Sequence, residues 1–277
     1  MKFTKMQGLG NDFVIIDARD LTLPEDLAAW SRGLCDRHFG IGADGVMLVL
    51  PSDQADIRMV ILNSDGSEAE MCGNGIRCFA KFVYEEGIVT QNPMTVETLA
   101  GIMVPEVVTD DTGRVTLVTV DMGEPILARS EIPMLGESEQ AVAETIFVDE
   151  TPFTITAVSM GNPHCVTFVD DITKAELEKW GPLMERSSYF PKKTNVEFVQ
   201  PLSRQEVIMR VWERGASITM ACGTGACATA VACVLNGLTE RQVTIHLDGG
   251  DLQIHWEEAS NHVFMTGAAE TVFTGEI

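Results

Sequence analysis

A tetrapeptide that occurs twice constrains this chain more than any other feature. Cys72-Gly73-Asn74-Gly75 opens an apolar run, and the pattern Cys-Gly-X-Gly returns 150 residues on at Cys222-Gly223-Thr224-Gly225. Seven cysteines, each followed by glycine at +1 and +3 at the chain's glycine frequency of 24 in 277, would give about 0.05 such motifs by composition. The surroundings repeat in nearly the same register. Asn11 and Asn162 follow glycine turns 151 residues apart, and Asn63 and Glu213 each close an apolar strand nine residues before their cysteine. Strand, turn, cysteine and helix come in one order twice, which is what a duplicated α/β unit looks like.

Periodicity supplies the elements. Phe3 to Met6, Phe13 to Asp17, Val46 to Leu50 and Asp56 to Leu62 read as strands, with a helix over Pro24 to Asp36 whose Trp30 belongs to the core. From Gly75 the residues Ile76, Phe79, Ala80, Phe82 and Val83 recur at helical spacing up to Gly87, so Cys72 stands at a helix N-terminus. Strands follow at Met94 to Thr98, Ile102 to Val108 and Arg114 to Met122, with a hairpin turn at Asp110-Asp111-Thr112-Gly113. The polar stretch from Gly123 to Glu144 marks a link between domains. Strands at Phe153 to Val158, His164 to Val169, Asn195 to Val199 and Val207 to Trp212, and a helix over Lys174 to Arg186, lead to a second cysteine-headed helix, Ala226 to Asn236, closed by Gly237. The expected domains are 1–119, completed by 266–277, and 120–265.

Composition removes several functions. With 19 basic and 41 acidic residues the net charge is −22, a field that repels phosphate backbones and anionic lipid, so no nucleic acid or membrane partner is expected. A carboxylate ligand would then need local donors such as backbone amides or a buried arginine. No apolar run suggests a signal peptide or membrane span, which makes the cytoplasm the expected location. The turn Gly40-Ile41-Gly42-Ala43-Asp44-Gly45 opens a strand and lacks Gly-Lys-Ser/Thr, unlike a phosphate loop.

An odd number of cysteines in a chain this long argues against a disulfide framework, and the spacings at 72/78 and 222/227 fit no zinc motif, so no metal is expected. Cys35, Cys78, Cys165, Cys227 and Cys233 read as buried structural thiols. Cys72 and Cys222 differ, because their glycines let backbone N–H groups approach a thiolate and a ligand carboxylate. Making a thiolate at pH 7 from a thiol of pKa about 8.5 costs roughly 2 kcal/mol, and one helix N-terminus returns about 0.3–1 and at best about 2. If the two halves pack about a pseudo-twofold axis, the helix ends can converge on one cleft with the thiols face to face. A carbon held there can lose a proton from one face and regain it on the other.

The motifs Cys72-Gly73-Asn74-Gly75-Ile76-Arg77-Cys78, Ala221-Cys222-Gly223-Thr224-Gly225-Ala226-Cys227, Gly8-Leu9-Gly10-Asn11-Asp12-Phe13 and Met160-Gly161-Asn162-Pro163-His164-Cys165 resemble those of the diaminopimelate epimerases, over essentially the whole chain. The resemblance implies an α+β fold of two pseudo-symmetric domains, each a curved sheet or barrel around a central helix, with the active site in the cleft between them. It implies a homodimer and interconversion of LL- and meso-2,6-diaminopimelate without pyridoxal phosphate or another cofactor. Carried onto matching positions, it makes Cys72 and Cys222 the acid and base and gives His164 and Glu213 a part in setting their pKa values. Asn11, Asn63, Gly73, Asn74, Asn162, Asn195, Glu213, Arg214, Gly223 and Thr224 would contact the substrate. Where many relatives carry a glutamine ligand in the glycine loop, this chain has Gly45.

Other readings stand beside this one. Asn11 and Asn162 can serve only as turn supports, Asn74 only as a cap, His164 as a satisfied core histidine, and Glu213-Arg214 as a surface ion pair. His38, His246, His255 and His262 show no converging partners. A racemase acting on proline-like amino acids would share the cysteines without needing Arg214 and the asparagines. A redox or thiol-dependent binding protein would show a reversible dithiol couple instead.

Overall fold

The structure, a computed structural model, describes residues Met1–Ile277 and divides into two compact units, Met1–Asp121 with Thr266–Ile277, and Met122–Met265. In the first unit β1 (Lys2–Gly8) and β2 (Asn11–Asp17) form an antiparallel hairpin. The helix α1 (Leu27–Cys35) crosses to β3 (Gly45–Leu50), which runs parallel to β2 and antiparallel to β4 (Ile57–Asn63). A two-residue strand β5 (Glu68–Ala69) lies on β4. The helix α2 (Gly73–Glu85) then crosses to β6 (Val96–Thr98), parallel to β4 and antiparallel to β7 (Gly101–Met103). A hairpin of β8 (Glu106–Thr109) and β9 (Val115–Asp121) follows.

The second unit repeats the plan. β10 (Glu144–Val148) pairs with β11 (Thr151–Ser159), which forms a hairpin with β12 (Pro163–Phe168). The helix α3 (Leu177–Glu185) crosses to β13 (Asn195–Pro201), parallel to β12 and antiparallel to β14 (Glu206–Glu213). The short β15 (Ser217–Ile218) lies on β14, and α4 (Gly223–Leu235) crosses to β16 (Gln242–Leu247), parallel to β14. β17 (Gly250–Trp256) returns antiparallel, with β18 (Val263–Gly267) beside it. A last strand, β19 (Glu270–Glu276), pairs with β1 in the first unit. From the first hairpin onward both units alternate antiparallel, parallel, antiparallel, parallel, antiparallel, and α2 and α4 are each 13 residues long. The fold is mixed α+β, built on two sheets.

The two cysteine-headed helices, α2 and α4, are buried over most of their length. Residues Asn74 to Val83 of α2 are all buried, as are ten of the eleven residues from Gly223 to Cys233 of α4, Thr224 being the exception. α4 touches β11, β12, β13, β14, β16 and β17. Six strands laid flat at about 4.8 Å spacing cover about 24 Å, whereas a helix with side chains is about 10 Å across. The sheet therefore bends around the helix. The small residues of α4, chiefly Ala, Gly and Cys, let it sit in so tight a wrap. In α2 the buried polar groups are partnered instead. Arg77 donates to the Gly73 and Ala268 carbonyls and to Asn74 Oδ1, and Lys81 donates to Glu85 and to the Val115 carbonyl.

The sequence reading needs correction in several places. The helix expected over 174–186 is only α3, because Glu176 adopts a left-handed φ of +44° and separates it from a single 3-10 turn at Ile172–Lys174. The strand expected over 102–108 is broken into β7 and β8, with Pro105 between them; proline has no N–H for the ladder. Both cysteine-headed helices begin earlier than the apolar periodicity suggests, at Gly73 and Gly223. His246 does have partners, with Nδ1 at 2.8 Å from Asp251 and Nε2 at 3.6 Å from Glu206. No helix is long and apolar enough to cross a membrane.

Candidate active site

Cys72 is the N-cap of α2, in extended conformation at φ −139°, and its sulfur accepts the N–H of Gly75 at 3.4 Å. Asn11, at the start of β2, turns its amide oxygen toward this group, 3.5 Å from both Cys72 Sγ and Asn74 Nδ2. The other end of the Asn11 amide donates to Asp44 Oδ2 at 2.8 Å. Asp44 itself belongs to an ionic cluster in which Arg37 bridges Asp44 and Asp12, and Lys5 pairs with Asp12. Burial works against ionising Asp12, but Arg37 and Lys5 outweigh it and hold the carboxyl down at about 2. Asn63 lies at the end of β4 opposite Gly45, with its amide donating to Ser67 Oγ at 2.9 Å.

In the second unit Cys222 is the N-cap of α4, buried at 5% exposure. Thr224 Oγ1 lies 3.6 Å from its sulfur and accepts the Asn162 side-chain N–H at 3.3 Å. Asn162 Oδ1 faces His164 Nε2 at 3.0 Å, and His164 Nδ1 lies 2.6 Å from Glu197 Oε1. Burial first, then the carboxylates of Glu213 and Glu197, push the Cys222 thiol well above its ordinary value, outweighing the opposite pull of the Thr224 hydroxyl and the Gly225 N–H. A thiol so placed is held protonated. Glu213, at the end of β14, also accepts a hydrogen bond from Thr219.

Asn195 and Arg214 form a further group. Asn195 is buried at the start of β13, donating to the Pro163 carbonyl at 2.8 Å and accepting the backbone N–H of Arg214 at 2.9 Å. This ties β12 and the end of β14 together, and the Arg214 side chain beyond it donates from Nη1 to the Lys192 carbonyl at 3.3 Å. Glu213 and Arg214 are thus spent on different partners and not on each other.

Within the first unit, then, Cys72, Asn74 and Asn11 come together, with Gly73 opening the helix between the first two. Within the second, Cys222, Thr224, Asn162 and His164 form one connected chain. Two residues escaped the sequence reading. Asp44 lay in the glycine-rich turn, where nothing marks it as the partner of Asn11. Glu197 had a signal, an acid among the apolar residues of Asn195-Val196-Glu197-Phe198-Val199. The five thiols outside the two motifs are buried, and burial raises Cys35 to about 11 and Cys78 and Cys233 to about 12.

The second glycine of each motif lies against the sulfur. A Cβ on Gly225 would stand 2.9 Å from Glu197 Oε1 and 3.2 Å from Cys222 Sγ, whereas one on Gly75 would chiefly meet the movable tip of Met47, at 2.4 Å. Alanine also gains about 1 kcal/mol over glycine in a helix, against roughly 1–3 kcal/mol for overpacking. Gly225→Ala is therefore expected to lower the unfolding free energy measured in urea, and Gly75→Ala to leave it within about 1 kcal/mol of wild type. Equal losses in the two variants would contradict this account.

The repeated fold is shared with solved structures of racemases and epimerases and their structural kin. It aligns with a hydroxyproline epimerase from Agrobacterium vitis at TM-score 0.69, 16% identical over 99% of this chain and 91% of that one. A phenazine biosynthesis protein of the PhzF family from Bacillus anthracis aligns at TM-score 0.71, 16% identical over 100% and 98%. At these identities the likeness concerns the fold. Sequence takes it further. The diaminopimelate epimerase family model matches residues 3–128 and 156–272. Proteins described as diaminopimelate epimerase match from end to end, at 57% identity in Heliobacterium modesticaldum (100% of this chain, 99% of that protein) and 53% in Methanococcus maripaludis strain S2 / LL (100% and 99%). The chain belongs to the diaminopimelate epimerase family.

Proposed function

We propose that the protein interconverts LL- and meso-2,6-diaminopimelate by moving one α-proton between two thiols, Cys72 and Cys222, in the synthesis of lysine and of peptidoglycan precursors. The observation that carries the chemical part is the pair of cysteine-headed helices, each with a sulfur at the N-cap, Cys72 faced by the Asn11 amide oxygen and Cys222 by the Thr224 hydroxyl that Asn162 holds. One thiolate removes the α-proton, backbone N–H groups at the helix starts stabilise the carboxylate as charge develops on it, and the other thiol protonates the opposite face. Because Cys222 is held as a thiol, it is the donor in the direction where Cys72 is the base, and the roles exchange in reverse. Gly73, Asn74, Gly223 and Thr224 would hold the reacting carboxylate. Asn11, Asn63, Asn162, Asn195, Glu213 and Arg214 would hold the rest of the substrate, with Arg214 on the distal carboxylate and Glu213 on an ammonium. The two units act as domains on this reading, and a cytoplasmic homodimer without metal or cofactor goes with it.

The test is isotopic. LL-diaminopimelate turned over in D₂O is expected to gain one α-deuterium for each inversion, because the proton that returns comes from a thiol equilibrated with solvent. Inversion with complete retention of the original hydrogen, or no inversion at all, would sink the reading. A reversible dithiol couple without exchange would point to the redox alternative.

A further inference from the structure

The mechanism above makes no use of Glu197, one of the most deeply buried acids in the chain. We propose that Glu197 is a positioning residue: through His164 it fixes which edge of the Asn162 amide faces Thr224 and the Cys222 sulfur. This rests on the reading of Cys222 as a reacting thiol.

The argument starts from the sheet. β12 and β13 run parallel with His164 opposite Asn195 and Val166 opposite Glu197, so His164 and Glu197 point to the same face two residues apart along the ladder. Both side chains are fully buried, and Nδ1 and Oε1 meet at 2.6 Å. The second carboxyl oxygen, Oε2, is buried without a hydrogen-bond partner. The titratable groups around the pair are Cys165 on β12, Glu213 on β14 and Cys222 at the start of α4.

Proton counting follows from the partners. Asn162 donates through Nδ2 to Thr224, so its oxygen is the atom facing His164 Nε2, and an amide oxygen only accepts. Nε2 therefore carries a hydrogen. Nδ1 must then share a second proton with Glu197, because a bare ring nitrogen facing a bare carboxylate at that distance would be repulsive. Whether this proton sits nearer nitrogen or oxygen, the dyad holds two protons and no net charge. The competing state keeps a single proton on Nδ1 and leaves Nε2 bare. It would put one uncompensated negative charge in a dry site with Oε2 unpartnered, which is costly, and burial accordingly raises Glu197.

The two states differ at the thiol. In the neutral dyad the Thr224 hydroxyl accepts from Asn162, and its own hydrogen is left for the Cys222 sulfur, 3.6 Å away. In the competing state the Asn162 amide turns over, its oxygen draws the Thr224 hydrogen, and the sulfur loses that donor just when it becomes a thiolate. The corresponding asparagine of the first unit is set the other way. Asp44 holds its Nδ2, and its oxygen faces Cys72. The repeat thus presents an amide oxygen at one cysteine and an amide N–H at the neighbourhood of the other.

Nitrogen NMR of the full-length protein labelled with ¹⁵N-histidine, with His164 assigned by comparison with a His164→Gln sample, reads the tautomer directly. The expected wild-type result is a protonated Nε2. Glu197→Leu is expected to let the ring exchange tautomers and to lower kcat by about 10–100-fold with a smaller change in KM, the size seen when residues that orient a reacting group through another are removed. Glu197→Gln keeps a donor for Nδ1 and is expected to retain protonated Nε2 and recover most of the turnover. A bare Nε2 in the wild type overturns the proposal. So does Glu197→Leu with an unchanged tautomer and lost activity, or Glu197→Gln performing no better than Glu197→Leu. If Glu197→Leu does not fold, the wild-type and Glu197→Gln spectra still decide. The tautomer is read without turnover, so a protonated Nε2 in a chain lacking epimerase activity would count against the proposed function and not against the hydrogen-bond assignment.

Discussion

Cys72→Ala and Cys222→Ala are each expected to slow inversion of diaminopimelate by about 10³-fold or more in both directions, since a positioned proton carrier contributes about 10²–10⁴ and alanine leaves none. Both directions suffer because a two-base reaction needs a base on one face and an acid on the other, whichever isomer is bound. The variants should nonetheless differ in what survives. With Cys222 removed, Cys72 can still take the α-proton of the isomer that faces it and return solvent hydrogen to the same side, giving exchange without inversion. Cys222→Ala and Cys72→Ala should therefore wash deuterium into opposite isomers. Measuring inversion and exchange separately for LL- and meso-diaminopimelate checks both points, and either variant inverting within tenfold of wild type would remove that thiol from the mechanism. The five remaining thiols are buried, so alkylation of the native protein is expected to spare them.

The next largest effect belongs to Arg214. Its backbone is anchored by Asn195, while its guanidinium is exposed and bound only to the Lys192 carbonyl, which leaves its charge uncommitted. In a chain of net charge −22 an uncommitted cation near the site is the natural partner for a carboxylate. A hydrogen bond to a charged group contributes about 1.5–3 kcal/mol, and each 1.4 kcal/mol is tenfold, so Arg214→Met is expected to lower kcat/KM by roughly 10–100-fold, mostly through KM. Arg214→Lys, which keeps the charge but not the fork, should fall between. Competition by lysine, which lacks the distal carboxylate, should be indifferent to the substitution. If Arg214→Met weakens lysine and diaminopimelate equally, the arginine does not read that carboxylate.

Much of the architecture is legible from local signals. The cysteine motifs announce both crossing helices, the turn residues at Asp110 to Gly113 give the β8–β9 hairpin, and the 150-residue register anticipates that the two units share one strand order. The failures have physical causes. A single left-handed residue, Glu176, ends a pattern that is amphipathic on both sides of it, and nothing in the residue type announces this. β16 and β17 alternate cleanly, with Val243, Ile245, Leu247, Leu252, Ile254 and Trp256 buried, so that hairpin was readable but went unread. Glu197 is a different case. In a strand with one wet face an acid between two apolar residues points to water, but β13 lies in a sheet buried on both faces, and its partner His164 is 33 residues away. Only the parallel register of β12 and β13 brings them together.

The wrapping of α2 has a consequence for how the protein is made. That helix is enclosed by β1, β2, β3, β8 and β9, and Arg77 reaches from it to the Ala268 carbonyl, just before β19, which in turn pairs with β1. During synthesis the second unit, continuous in sequence, has all its strands before the first has received its closing one. The unit begun first on the ribosome is thus the last to be finished, and until residues 266–277 emerge the helix that carries Cys72 lacks one of its anchors.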